Sequence, residues 1–370
     1  MRISWRDGGA DVAHGLGVAA KGAVAPLAMP RADRPVGGRD GSVYAALDLG
    51  TNNCRMLAAR ATGDGFAVVD AYSRTVRLGE RLLQDGRLSE RAMARAIAAL
   101  RVCAQRIRRH EVAGVRGVAT EACRRAGNGR TFLARVVAET GLSFDLIDAR
   151  EEAELALAGC APLFTAAAAA AAATAPAMHG LLVDIGGGST QIAWVALGPG
   201  PALRTIDTVS LPFGVVTLLE RWGTDPDAES DRAMRADVAT YLAPFAARHA
   251  IGAAIEAGRV HMVGTSGTVT MLASVAQGLG RYNRSRVDGY VLDFPAIQAH
   301  SAELARLGTA GRALHPCIGR ERADLTVGGC IVLQAICDLL PVGRLTVADR
   351  GLREGILLGL MARARGAAAV

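Results

Sequence analysis

VDIGGGSTQIAWV, residues 183–195, decides the fold when it is laid over LDLGTNNCRMLAA, residues 47–59. Both run apolar, Asp, apolar, Gly, a turn of small polar residues, and then an apolar strand. The second copy follows the first by 136 residues. Either turn alone reads equally well as a flexible hairpin. Two matched copies, each with Asp two residues before Gly, point to a duplicated domain, because solenoid repeats have shorter periods.

Such a turn has a chemical use. Gly and small hydroxyl or amide residues expose successive backbone N–H groups, which form a concave nest for an anion. Gly lets the backbone come close to a phosphate. Thr51, Asn52, Asn53, Ser189 and Thr190 add side-chain donors, with Gly50, Gly186, Gly187 and Gly188 as the backbone of the two cradles. Asp48 and Asp184 stand where a carboxylate orients a hydrated Mg²⁺ or a water beside the phosphate. No GKS or GKT follows either turn, so neither is a P-loop. A strand rather than a helix follows the glycines, which excludes a dinucleotide fingerprint. A third turn, Gly264-Thr265-Ser266-Gly267-Thr268, follows a strand and opens a helix, a geometry suited to an anion at a helix N-terminus or to a plain cap.

Outward from the turns, 44–49 and 54–60 are expected strands, and 66–78 continues the β pattern. Ser89 is the expected N-cap of a helix over 90–110, with Met93, Ile97, Leu100, Ala104 and Ile107 on one face. Strand 115–120, helix 121–126, helix 131–141, strand 144–148 and helix 150–159 follow. The alanine run Ala166–Ala173 reads as a helix extension or as a linker. Strands 180–185 and 191–197 repeat the first hairpin. A strand at 260–265, a helix from Thr268, helices through 295–340, strand 344–349 and a closing helix 351–364 complete the chain.

The chain has 370 residues, of which 51% are apolar, enough for two cored domains. Aromatics are only 4%, which argues against a stacking platform for single-stranded nucleic acid. The net charge of +7 comes almost wholly from Arg and favours acidic partners, although codon usage also supplies Arg. Polyphosphate, nucleotides and nucleic acid all suit guanidinium forks. The seven cysteines, Cys54, Cys103, Cys123, Cys160, Cys317, Cys330 and Cys337, form no CxxC pair and fit reduced, buried thiols in a cytoplasmic protein. Residues 1–42, rich in Gly, Ala, Arg and Pro, are expected to be a disordered tail. No segment has the roughly 18 consecutive apolar residues of a membrane span.

Taken together, the motifs Asp48-Leu49-Gly50-Thr51-Asn52, Thr120-Glu121-Ala122-Cys123-Arg124, Glu151-Glu152-Ala153, Asp184-Ile185-Gly186-Gly187-Gly188-Ser189-Thr190, Gly264-Thr265-Ser266-Gly267-Thr268 and Gly351-Leu352-Arg353-Glu354-Gly355 resemble the exopolyphosphatase/guanosine pentaphosphate phosphohydrolase family, over about 44–362. The resemblance implies an α/β fold of two actin-like (ribonuclease H-like) domains with the active site in the interdomain cleft. Domain I would span 43–160 with a returning C-terminal helix at about 350–364, and domain II 178–349, joined by an Ala-rich connector at 161–177. It also implies roles. Glu152 would position or activate the attacking water, Asp184 would serve metal and water, and Arg124 would contact phosphate. Asp48, Asp184 and Glu152 would hold Mg²⁺ or another divalent cation. Thr120, Gly264, Ser266 and Gly267 join the two turns as phosphate-binding positions. Members of that family usually carry Glu after GGGST, where this chain has Gln191, a weaker ligand for a hard cation. The chain is also expected to lack the family's additional C-terminal helical domains.

Each motif residue has a plainer reading in isolation. Glu151 and Glu152 sit near a helix start, where the dipole favours carboxylates. Arg124 and Arg125 fit a solvated helix face, and His261 and His315 fit core or surface roles. The Arg281–Arg286 segment reads equally as a polyanion contact or a solvated loop. The leading expectation is release of terminal orthophosphate from inorganic polyphosphate, with the 5′ γ-phosphate of guanosine pentaphosphate as the close alternative. A nucleotide-binding sensor with little hydrolysis, and a polyphosphate kinase, are the other readings. No DNA and no membrane partner is expected, and related proteins imply a homodimer.

Overall fold

The computed structural model describes residues 2–5, 41–63, 65–171, 178–198 and 203–368. The first unit holds β1 (Arg2–Trp5), β2 (Val43–Leu49), β3 (Asn53–Thr62), β4 (Gly65–Thr75), α1 (Leu82–Asp85), α2 (Glu90–Arg109), β5 (Gly114–Ala119), α3 (Glu121–Arg125), α4 (Gly129–Thr140) and β6 (Asp145–Leu146). The long α5 (Ala149–Ala171) crosses to the second unit. There β7 (Met178–Ile185), β8 (Thr190–Leu197), β9 (Leu203–Leu211), α6 (Val215–Trp222), α7 (Ala228–Arg248) and α8 (Ile251–Glu256) lead to β10 (Val260–Thr265) and α9 (Ser266–Ala276). Next come α10 (Arg284–Val287), β11 (Val291–Asp293), α11 (Phe294–Arg306), α12 (Gly308–Leu314), α13 (Thr326–Leu339), β12 (Arg344–Ala348) and α14 (Leu352–Ala368).

The sheets are ordered β1-β4-β3-β2-β5-β6 and β11-β12-β10-β7-β8-β9. Reversing the second matches β4-β3-β2-β5-β6 to β9-β8-β7-β10-β12, so the repeat in the sequence is a repeat of topology. It reaches local detail. The β3–β4 register shifts at Ala58/Ala59 and the β8–β9 register at Trp194/Val195, again 136 residues apart. Just past each bulge an Asp anchors the C-terminal end of the covering helix. Asp70 meets Arg106 at 2.7 Å and His110 at 3.1 Å, while Asp207 meets Arg248 at 3.4 Å and His249 at 2.8 Å.

Each sheet is covered on both faces, so its central strand is mostly apolar, and every residue of β2, Asp48 included, is buried. On one face of the first sheet lie Met93, Ile97, Leu100 and Ile107 of α2, whose N-cap is Ser89, accepting from Ala92 N at 3.2 Å. On its other face lie Ile356, Leu357 and Leu360 of α14. The second sheet packs on α7, α9, α11 and α13 on one side, and on Ala156, Cys160 and Phe164 of α5 on the other. α5 and α14 cross backbone to backbone. A Cβ on Gly159 would lie 2.0 Å from Gly351 O, and one on Gly355 1.9 Å from Leu155 O. The second Gly of the GLREG motif is thus required by this crossing.

Several elements differ from the sequence expectation. β4 stops at Thr75, because Asn52 O takes the N–H groups of Val76 and Arg77, and Arg77 turns to φ 46°. α9 starts two residues earlier than expected, at Ser266, and the strand expected over 144–148 shrinks to Asp145–Leu146. The segment read as a connector is helical to Ala171, with Pro162 inside α5 and Phe164 in the core, so this part of it covers the second sheet. Residues 172–177 lie outside the described residues. In the segment 1–42, expected to be a disordered tail, Arg2–Trp5 pairs in parallel with β4, and residues 6–40 lie outside the described residues. All seven cysteines are free and buried. Among the described residues no helix is long and apolar enough to cross a membrane.

Candidate active site

The two quoted turns close in the same way. Gly50 N donates to Asn53 O at 3.0 Å, and Gly186 N donates to Ser189 O at 3.0 Å. They face each other across a cleft of about 510 Å³ between the sheets. The approach is tight. A Cβ on Gly187 would lie 3.0 Å from Asn52 N, and one on Gly188 2.5 Å from Thr51 Oγ1. Gly at these two positions therefore lets one turn close onto the other. α9 adds a third wall. Its N-terminus, Ser266-Gly267-Thr268, opens on the cleft, and a Cβ on Gly267 would meet nothing within 4 Å.

Three carboxylates converge here from different elements: Asp48 from β2, Glu152 from α5 and Asp184 from β7. Burial raises all three. Asp48 is raised even though Arg55 and Arg353 oppose the shift. Asp184 rises to about 6 by burial, against the pull of Arg55 and with repulsion from Asp48. Glu152 rises to about 8 by burial, against Arg124 and with repulsion from Asp184 and Asp48. Negative charge gathered in a low-dielectric cleft is relieved by protons or by a cation.

The cleft also carries Arg55, Arg284, Arg322, Arg350 and Arg353. Some are committed within the protein. Arg284 reaches Glu354 at 2.9 Å, and Arg350 is bound to Asp288. Glu354 is 1% exposed; burial works against its charge, but Arg353, Arg284 and the Gly351 N–H hold its carboxyl below the ordinary range. Arg55 and Arg322 make no ion pair among the described residues, so their guanidinium donors face the cleft unclaimed. Arg55 lies directly across the hairpin from Asp48.

Of the positions singled out in the sequence, Asp48, Gly50, Thr51, Asn52, Asn53, Thr120, Glu152, Asp184, Gly186, Gly187, Gly188, Ser189, Ser266 and Gly267 all line the cleft. Arg124, Thr190 and Gly264 do not. Arg124 lies behind the wall, bonded to Glu121, to Ile147 O at 2.7 Å and to Glu152 Oε2 at 3.4 Å. Thr190 is fully buried and donates to Phe213 O at 3.0 Å. Gly264 leaves room for Leu345, whose Cδ1 would lie 2.7 Å from a Cβ there. The sequence reading missed Arg55, Arg322, Arg353 and Glu354 as cleft residues. For Arg55 a signal existed: a charge at the start of a mostly apolar strand, at the repeat position of Gln191.

The donors available to a metal are oxygens only, which suits a hard cation. Among the described residues no three His, Cys, Asp or Glu side chains form a ready-made metal cage. A cation that keeps waters and takes phosphate oxygens fits this arrangement, since Mg²⁺ commonly uses one or two carboxylates. Gln191, opposite Asp184 in the hairpin, donates to Ser189 Oγ at 3.2 Å, and its Oε1 is buried without a hydrogen-bond partner.

The Ppx/GppA phosphatase family matches residues 57–364, which leaves the first turn just outside the matched span. Solved structures agree in fold. A Ppx/GppA family member from Aquifex aeolicus is 26% identical, with a TM-score of 0.66 over 87% of this chain and 98% of that one. An exopolyphosphatase-like protein is 28% identical, with a TM-score of 0.72 over 87% of this chain and 99% of that one. An exopolyphosphatase from Cytophaga hutchinsonii, 21% identical, superposes with a TM-score of 0.75 over 87% of this chain and 98% of that one. These relatives have the two-domain actin-like fold, as this chain does.

Proposed function

The chain belongs to the Ppx/GppA phosphatase family, and from that premise we propose that it hydrolyses the terminal phosphoanhydride of inorganic polyphosphate, releasing orthophosphate in the presence of Mg²⁺. The observation that carries this reading is the convergence of two opposed phosphate nests, three raised carboxylates and unclaimed guanidinium groups in one cleft. Phosphoryl transfer to water asks for an in-line nucleophile and neutralised oxygens, and this set offers a carboxylate to hold the one and positive charge for the other.

In this reading the backbone N–H groups of the two turns and the N-terminus of α9 bind the terminal phosphate oxygens. Arg55 neutralises them from the first sheet. Glu152, whose ionised form a bound cation would favour, orients the water and accepts its proton as oxygen attacks phosphorus and the bridging P–O bond breaks. Arg124 acts through Glu152, by fixing its carboxylate. Mg²⁺, held by Asp48 and Asp184, would supply charge neutralisation of the transferring group. A cytoplasmic homodimer acting without DNA belongs to the same proposal.

Guanosine pentaphosphate is the second reading, favoured by one observation. Tyr282, 40% exposed, stands in the cleft wall beside Arg284 and offers a stacking face for a base. The test offers long polyphosphate, short polyphosphate and guanosine pentaphosphate separately with Mg²⁺ and measures phosphate release. Glu152→Gln is expected to lose about 10²–10⁴-fold. Tyr282→Ala is expected to spare polyphosphate and weaken only the nucleotide. If the wild type releases phosphate from none of the three, the hydrolase reading fails.

A further inference from the structure

The two phosphate turns are connected by a second route that does not pass through the cleft. On the second sheet's side, Val215 N and Val216 N of α6 donate to Gly186 O and Gly187 O at 3.0 and 2.8 Å, so the start of α6 holds the second turn. Further along α6, Glu220 reaches across to the other unit. Its Oε1 accepts from Arg81 N at 2.5 Å and its Oε2 from Leu83 N at 3.2 Å, capping the short α1. The segment before α1 backs the first turn. Val76 N and Arg77 N donate to Asn52 O at 2.8 and 2.9 Å, and Gly79 N donates to Thr51 O at 2.9 Å. A Cβ on Gly79 would sit 2.3 Å from Thr51 Cγ2, so only Gly lets the segment lie this close.

The same segment is held at a second point. Arg77 makes a two-pronged pair with Asp324 at 2.7 and 3.1 Å, and Thr75 Oγ1 donates to Glu321 Oε2 at 2.8 Å. Arg77 and Arg81 both have positive φ, 46° and 63°, a conformation that costs energy in non-glycine residues and persists only where surrounding contacts impose it. Asn52 and Arg95 of the same unit hold the Arg77 backbone, and the opposite unit adds Asp324 on the Arg77 side chain and Glu220 on Arg81 N.

We infer that Glu220 is a positioning residue for the hydrolytic site, latching the two units so that both phosphate turns are set at once. The inference rests on the proposed function for its consequence but not for its geometry. Substrate needs both turns in register, so loosening the latch lowers the population of the closed cleft and raises the apparent dissociation constant in proportion. Substrate binding itself then restores closure, and turnover at saturation is retained.

The test pairs Glu220→Ala with the milder Glu220→Gln, which keeps one acceptor oxygen. Because the native cysteines are all buried, labels can be placed at Arg87→Cys and Glu229→Cys, one exposed position on each unit, to measure the interdomain distance in the substrate-free protein. The expected result is a distance distribution moved to longer values in Glu220→Ala and an intermediate one in Glu220→Gln. KM for polyphosphate should rise about tenfold in Glu220→Ala, with kcat and melting temperature close to wild type. An unchanged distance distribution overturns the latch. So does a fall in kcat that tracks a fall in melting temperature, the signature of a merely structural residue. If the wild type hydrolyses nothing but the distance shifts as expected, the functional reading fails and the latch stands.

Discussion

The two hairpins that form the cleft share a backbone and differ in chemistry. Each places Asp two residues before Gly, closes its turn with the same Gly N to carbonyl bond at 3.0 Å, and carries a register shift further along its second strand. Directly opposite the Asp, however, the first hairpin has Arg55 and the second has Gln191. Arg55 lines the cleft, and its charge opposes the raised carboxyls of Asp48 and Asp184. Gln191 is buried, neutral and left with an unpartnered oxygen. Duplication preserved the device that makes an anion nest, while one position across the strand pair gives the halves different tasks. Across from its Asp the first hairpin places a guanidinium in the cleft, whereas the second places a neutral amide that lies behind the cleft wall.

Among changes that act on this comparison, the largest expected effect comes from erasing the difference. Arg55→Gln gives the first hairpin the residue of the second, and kcat/KM for phosphate release should fall about 10–100-fold through loss of charge-assisted contacts. Unaltered kcat/KM would mean that Arg55 does not meet substrate. Sharpening the difference is the next test. Gln191→Glu adds a carboxylate beside Asp184 and should lower the Mg²⁺ concentration for half-saturation by about tenfold, because ligand charge sets affinity for hard cations. Titration calorimetry without substrate reads this directly, and equal affinity in the two proteins removes Gln191 from the metal corner.

The smallest effect is on stability and follows from the raised carboxyls. In the folded protein Glu152 keeps its proton up to about pH 8, against an ordinary value of 4.5, and Asp184 up to about pH 6 against 3.8. Between those limits the folded chain holds more protons than the unfolded chain, so these groups make stability fall as pH rises. Their contribution is fully present below the ordinary carboxylate range and gone above about pH 8. Without divalent cation, wild-type Tm should therefore drop across this window. Glu152→Gln should show a flatter profile and a Tm a few degrees higher at its alkaline end. Parallel profiles for the two proteins would contradict the raised Glu152 carboxyl.

Much of the architecture could be read without coordinates. The repeated Asp-apolar-Gly hairpin, the Ser89 cap and the three- and four-residue spacing along α2 are local patterns, and local patterns follow from backbone sterics and periodic burial. The positions of the two turns and of Glu152 followed from motif order. What failed to be legible was partner choice. Arg124 carries a motif position, yet it is taken up by Glu121, Glu152 and the Ile147 carbonyl, and lies behind the wall of the cleft. Arg55 carried no motif weight and is one of the cleft guanidiniums without an ion pair among the described residues. The alanine-rich stretch, ambiguous as sequence, is helical to Ala171 because Cys160 and Phe164 find the second sheet.

The sequence by itself therefore determined that this protein has two related halves, each with a glycine turn suited to phosphate. That information sits within about a dozen consecutive residues and needs no distant partner. Only the tertiary structure decided that the turns face each other, that Glu220 ties them together from 139 residues beyond Arg81, and which arginines remain free for an anion. A guanidinium pairs with whichever carboxylate the fold brings within reach, and that reach is set by the crossing of α5 and α14 and the packing of two sheets, not by neighbours along the chain.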